Sequence, residues 1–96
     1  MSEVTVIATI VCKSNAAGTV KRELAKLIVP TRKEEGCIRY VLHTDNASPS
    51  TFVFYENWES AKHLKRHMNT DHFKQFQKAL DGLTEEIVIQ ELTRHT

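Results

Sequence analysis

The chain has 96 residues, 41% of them hydrophobic and 26% charged, a content that supports one modest core and lacks the bias of a disordered segment. Its 13 Lys and Arg are interspersed with 12 Asp and Glu for a formal net charge of +1, so no basic stripe is available for nucleic acid. No apolar run reaches the roughly 20 residues of a membrane span, and Met1 to Ile10 carry no basic segment followed by a small-residue cleavage site; a single cytoplasmic domain over residues 1–96 is expected.

Val4 to Cys12 (VTVIATIVC) is rich in β-branched side chains and apolar on both faces, which predicts a strand covered on both sides. Ser14 and Asn15 offer side-chain oxygens for a helix start, and Val20, Leu24, Leu27 and Ile28 follow the spacing of one apolar helical face. Pro30 falls inside or at the end of this pattern, where it predicts a kink or a break. The polar run Arg32 to Glu35 leads to Gly36, a helix-terminating residue, and Cys37 to His43 (CIRYVLH) reads as the second strand. Asn46, Ser48, Pro49 and Ser50 make a turn or short loop, after which Thr51 to Trp58 (TFVFYENW) reads as the third strand and completes a hairpin. From Glu59 the period changes. Ala61, Leu64 and Met68 share one helical face, and Phe73, Phe76 and Leu80 share another beyond a break near Asn69 and Thr70, which predicts two short helices or one bent helix. Gly82 closes this region and Glu86 to Leu92 is the last strand.

The order βαββαβ gives an α+β fold, a four-stranded antiparallel sheet with helices on one face. Strands apolar on both sides leave the second face uncovered, and a second copy of the chain is the simplest cover, so a homodimer is expected. Cys12 and Cys37 lack the spacing of a metal knuckle or a redox pair and read as buried free thiols.

Strand alternation puts Phe52, Phe54, Glu56 and Trp58 on one side, so a carboxylate stands among aromatic rings. Such a group is paired, or has its pKa raised toward the range of proton transfer, or reaches solvent or a basic partner such as Arg39. His63 and His67 are helical neighbours, and His72 follows just past the break. A zinc site would need His72 or Glu56 as a third ligand, without a recognised metal spacing, and no metal is assigned. His63 fits a solvated helix face; His67, next to the apolar Met68, is the candidate general base. The three glycines form no phosphate loop or dinucleotide fingerprint, and no serine elbow or Cys/His pair stands out.

The strings IVPTRKEEGCIRY (Ile28 to Tyr40) and YENWESAKHLKRHMNTDHFKQF (Tyr55 to Phe76) resemble, in order and spacing, the quinol monooxygenases of the antibiotic biosynthesis monooxygenase family. The element is E-x-W-E-S followed by histidines five, nine and fourteen residues after the Trp: Glu56, Trp58, His63, His67 and His72. The resemblance implies a ferredoxin-like domain that dimerises into an α+β barrel with one cavity per subunit. Polyketide-oxidising members carry an Asn and a Tyr where this chain has Phe54 and Leu64, and haem-degrading members carry a Trp and a His where it has His67 and Gln77. The family also includes an isomerase of a phosphorylated sugar derivative, which shares the Glu and the histidines matching His67 and His72 but carries Tyr at Trp58. What the resemblance implies is oxidation of a quinol or related electron-rich aromatic by molecular oxygen, without flavin, haem or metal. His67 would be the base and Glu56 would orient it or relay its proton. Trp58, Phe54 and Phe73 would wall the cavity, with His63, His72 and Arg39 as further substrate contacts. Isomerisation of a small hydroxyketone by the same Glu56 and His67, and ligand binding by a non-catalytic dimer, are the alternative readings.

Overall fold

The computed structural model describes residues 3–96. Four strands, β1 (Val4–Cys12), β2 (Cys37–Asp45), β3 (Ser48–Trp58) and β4 (Thr84–Leu92), form one antiparallel sheet in the order β2-β3-β1-β4. Four helices cross it: α1 (Ala17–Ala25), α2 (Ile28–Arg32), α3 (Ala61–His67) and α4 (Asp71–Ala79). The arrangement is ferredoxin-like, and none of the helices is long and apolar enough to cross a membrane.

Period-two burial shows which face is covered. Val6, Ala8, Ile10 and Cys12 of β1 and Phe52, Phe54, Glu56 and Trp58 of β3 are buried beneath the helices. They meet Val20 and Leu24 from α1, Leu27, Leu64 from α3, and Leu80, each burial contributing on the order of 1.5–3 kcal/mol. On the other face Ile7 pairs across β1 and β3 with Tyr55, and Thr9 with Val53, with no second layer above them among the described residues. β4 is exposed along most of its length: Ile87 and Ile89 on the helix side and Val88 and Leu92 on the open side are each 41–45% exposed.

Several boundaries differ from the sequence reading. Ser14 and Asn15 lie in a short 3-10 turn and do not cap α1, whose N-cap, Ala16, makes no side-chain bond. The first helical region breaks at Lys26 and Leu27, ahead of Pro30. Pro30 stands in the first turn of α2, where a missing N–H is harmless because that position has no acceptor within the helix. The β2–β3 hairpin turns on Asn46 and Ala47 alone, with the Asp45 carboxylate accepting from the Ala47 N–H at 2.9 Å. The α3–α4 break matches expectation, and its cause is visible: the Thr70 hydroxyl donates to the His67 carbonyl at 2.7 Å and accepts from the Phe73 N–H at 3.3 Å, ending one helix and starting the next. Cys12 is buried and Cys37 half-buried, both as free thiols.

Gly36 has a left-handed backbone (φ +87°), and a Cβ there would stand 2.2 Å from the His63 ring. A glycine is therefore required on two counts, and it lets the turn before β2 sit against α3. The Gly36 carbonyl accepts from the Glu59 N–H at 2.9 Å and fastens that turn to the end of β3.

Candidate functional site

A small apolar cavity of about 30 Å³ lies between the sheet and the α3–α4 pair. Val6, Ala8 and Ile10 form its floor, Tyr40, Phe54 and Phe73 its aromatic walls, and Leu64, Met68, Phe76, Ile87 and Ile89 the rest of its apolar lining. Two titratable groups other than tyrosine face this space, Glu56 and His67. Strand alternation brings in Glu56, and the last turn of α3 brings in His67, held by the Thr70 latch.

The Glu56 carboxylate accepts a hydrogen bond from the indole Nε1–H of Trp58 at 2.9 Å. Burial dominates its titration and pushes its pKa up to about 7; the Trp58 bond opposes the shift and the charge of Glu34 adds to it. His67 is only 2% exposed and sits inside an aromatic cage. Its ring centre is 4.7 Å from that of Trp58, 5.1 Å from Phe73 and 5.7 Å from Tyr40. Burial lowers its pKa, against the pull of the Glu34 carboxylate, so the neutral ring is favoured. Both side chains share one cavity, although no hydrogen bond joins them directly.

The residue that the sequence reading missed is Glu34, in the turn between α2 and β2. One of its oxygens, Oε2, lies 2.7 Å from His67 Nδ1 and 2.6 Å from His72 Nε2. A carboxylate can only accept, so these contacts put a proton on Nδ1 of His67 and on Nε2 of His72. The second ring nitrogen of His67, Nε2, is left as a lone pair with no protein partner among the described residues, on a ring that lines the cavity. Glu34, His67 and His72 each offer one ligand atom, and these atoms lie within 4.8 Å of one another. Separations of 2.6 and 2.7 Å are hydrogen-bond distances; two ligands about 2.1 Å from one tetrahedral ion stand about 3.4 Å apart. Protons bridge the three groups as they stand.

The other sequence-predicted residues fall into two sets. Phe54 and Phe73 line the cavity, and Trp58, fully buried, supports both Glu56 and His67 from beneath. His63 and Arg39 lie away from it. The His63 Nδ1 atom is 2.8 Å from the hydroxyl of Ser60, the N-cap of α3, and its ring packs under Gly36 instead of facing solvent. Arg39 lies over the Tyr55 ring at 5.7 Å on the open side of the sheet. A bulge between Cys37 and Arg39 pairs Arg39 with Asn57 and leaves Tyr40 opposite Glu56, so Arg39 cannot neutralise Glu56. His72 does not line the cavity; it meets the site through Glu34 and through its ring, whose centre is 6.1 Å from that of His67.

Fold and site together describe a ferredoxin-like domain with a carboxylate-held histidine facing an aromatic cavity. Residues 3–79 match the model of the antibiotic biosynthesis monooxygenase family, and the chain belongs to that family. It is 35% identical over 68 residues to YgiN of Escherichia coli, which bears the name probable quinol monooxygenase; the match spans 62% of this chain and 65% of YgiN. It is 30% identical over 82 residues to Rv0793 of Mycobacterium tuberculosis, covering 85% of this chain and 80% of that protein. Among solved structures, PA3566 from Pseudomonas aeruginosa superposes with a TM-score of 0.95 at 35% identity, over 100% of this chain and 97% of that one. The Rv0793 structure superposes with a TM-score of 0.93 at 25% identity, over 99% and 97%.

Proposed function

We propose that this chain is a cofactor-independent monooxygenase that oxidises a quinol or a related electron-rich aromatic, working as a cytoplasmic homodimer. The observation that carries the reading is His67: a buried neutral imidazole whose Nδ1–H is tied to Glu34 and whose free Nε2 belongs to an aromatic cavity. Molecular oxygen reacts slowly with closed-shell organic molecules, and a phenolate surrenders an electron far more readily than a phenol. His67 Nε2 removes the phenolic proton, and the Glu34 carboxylate stabilises the imidazolium that forms. The substrate anion gives one electron to oxygen, the two radicals combine, and Glu56, half-protonated near neutral pH, supplies a proton as the peroxide breaks down. For a hydroquinone the balance is one dioxygen consumed, one hydroxyquinone and one water formed.

The lining supports a flat apolar ring over a phosphorylated hydroxyketone, because no Lys or Arg is among its residues. Its size sets a condition. An apolar cavity of about 150 Å³ takes a benzene ring, and the present one is about 30 Å³. Substrate entry therefore requires the adaptable Met68 thioether, Phe76 and the exposed Ile87 and Ile89 to move aside.

The deciding experiment is oxygen uptake by dialysed, chelator-treated protein given a panel of benzo- and naphthohydroquinones, with autoxidation blanks and His67→Ala alongside. Uptake above blank that falls about 10²-fold or more in the variant is expected. No uptake above blank with any quinol, or equal rates in the two proteins, would end the proposal.

A further inference from the structure

The Glu34 carboxylate is mostly buried, at 13% side-chain exposure, and among the described residues it has no Lys or Arg partner. Its hydrogen-bond partners among the described residues are His67 and His72 alone, since Arg66 pairs with the neighbouring Glu35. Three donor atoms of the types that hold zinc thus converge from three elements: the turn before β2, the end of α3 and the start of α4. The Thr70 latch fixes the two histidines relative to each other, and the cage of Trp58, Tyr40 and Phe73 fixes the His67 ring. A second cavity of about 140 Å³, bordered by Glu23, Lys26, Leu27, Gln75 and Phe76, reaches His72 from outside. It gives the cluster an entrance separate from the substrate cavity.

We propose that Glu34, His67 and His72 form a binding site for one divalent transition-metal ion, zinc above all, loaded through the groove beside His72, and that the ion held there switches off the cavity face of His67. Two imidazoles and one carboxylate carry a net charge of −1 and make up a three-ligand zinc set with one position left for water. Occupation needs the donor atoms to spread from 2.6–2.7 Å to about 3.4 Å, a shift of about 0.7 Å within reach of side-chain movement. The metal takes the lone pair of His67 Nδ1, and the single ring proton moves to Nε2; His72 likewise carries its proton on Nδ1. The His67 ring stays neutral throughout, so it neither gains nor loses a proton. The cavity then meets an N–H donor where the free chain presents a base. This second half of the proposal rests on His67 being the base of the oxygenation.

The test is a cobalt titration of the chelator-treated full chain, followed by visible absorption, with zinc displacement and calorimetry. Expected are d–d bands of low-coordinate cobalt at one ion per chain, abolished by zinc. Glu34→Gln and His72→Asn weaken binding at least about tenfold, while His63→Asn and Cys37→Ser leave it unchanged. Absence of the bands at millimolar cobalt, or binding indifferent to both ligand variants, overturns the site. If either ligand variant fails to fold by circular dichroism, imidazole ¹⁵N shifts of the unaltered chain decide. Zinc must then move His67 and His72 and spare His43 and His63; any other pattern refutes the assignment. In the uptake assay one equivalent of zinc suppresses quinol oxidation and a chelator restores it; undiminished uptake with zinc bound refutes the switch. A chain that binds cobalt as described but oxidises no quinol keeps the metal site while the oxygenase reading and the switch fall.

Discussion

His67 Nδ1 and Glu34 Oε2 stand 2.7 Å apart across 33 residues of sequence. This contact sets the tautomer of the proposed base, because a carboxylate can only accept and the opposite nitrogen must then carry the lone pair. Glu34→Gln removes the charge that stabilises the imidazolium while leaving the side-chain size unchanged. Its kcat for quinol oxidation should fall about 10²-fold with KM altered less than about threefold, since Glu34 is not among the residues lining the cavity. Glu34→Asp, which keeps the charge but shortens the reach, should recover part of the loss. Steady-state oxygen uptake against substrate concentration measures both; a change confined to KM would remove Glu34 from the positioning role.

Glu56 should make the protein less stable as pH rises. Its folded pKa is pushed up to about 7 from an ordinary 4.5, so between those values the folded state binds more protons than the unfolded one, and stability falls as pH rises through the window. Glu56→Gln keeps an oxygen for the Trp58 indole and removes the ionisation. The variant should match the parent in urea unfolding near pH 4.5, and exceed it by roughly 1–3 kcal/mol at pH 8, while losing activity. A stability difference independent of pH across this range would show that the carboxylate does not titrate as the geometry requires.

The elements around this site were legible because period-two and helical periodicity are strong local signals. TFVFYENW places Glu56 among aromatic rings whatever surrounds the strand, and the His67–Met68 step marks the inner edge of α3. Glu34 was not legible for the opposite reason. In the string RKEEG it is indistinguishable from Glu35, yet the Glu34 side chain is 13% exposed and that of Glu35 78%. Only the turn preceding β2, which brings a loop from one half of the chain against the helices of the other, separates them. Arg39 shows the limit of alternation: one extra residue in β2 opposite Trp58 and Asn57 turns its side chain to the far face of the sheet.

Gly36 and Gly82 separate close contact from backbone strain. Both have positive φ, +87° and +79°, but a Cβ on Gly36 meets the His63 ring at 2.2 Å, whereas one on Gly82 meets nothing within 4 Å. Gly82→Ala should cost about 1 kcal/mol, the strain of a left-handed alanine. Gly36→Ala should cost about 2–4 kcal/mol, because the α3 start must also shift. Paired denaturant titrations at constant m-value test the difference. Equal losses would mean that His63 swings aside freely despite its Ser60 hydrogen bond.

The open face of the sheet leads to a prediction about assembly. Ile7, Val53, Tyr55, Val41 and Val88 lie there across all four strands by register, with no layer of the described residues above them. Apolar sheet faces of this extent are stable in water when packed on another sheet, and a two-fold copy supplies a self-complementary surface. Light scattering after size exclusion should give twice the 11.0 kDa chain mass. Ile7 is flanked by Tyr55 on β3 and Gln90 on β4, so Ile7→Asp sets an unpaired carboxylate in the middle of that packing. It should shift the species toward the single-chain mass and lower the urea midpoint. A parent protein that already elutes at the single-chain mass at micromolar concentration would rule out this face as the dimer interface.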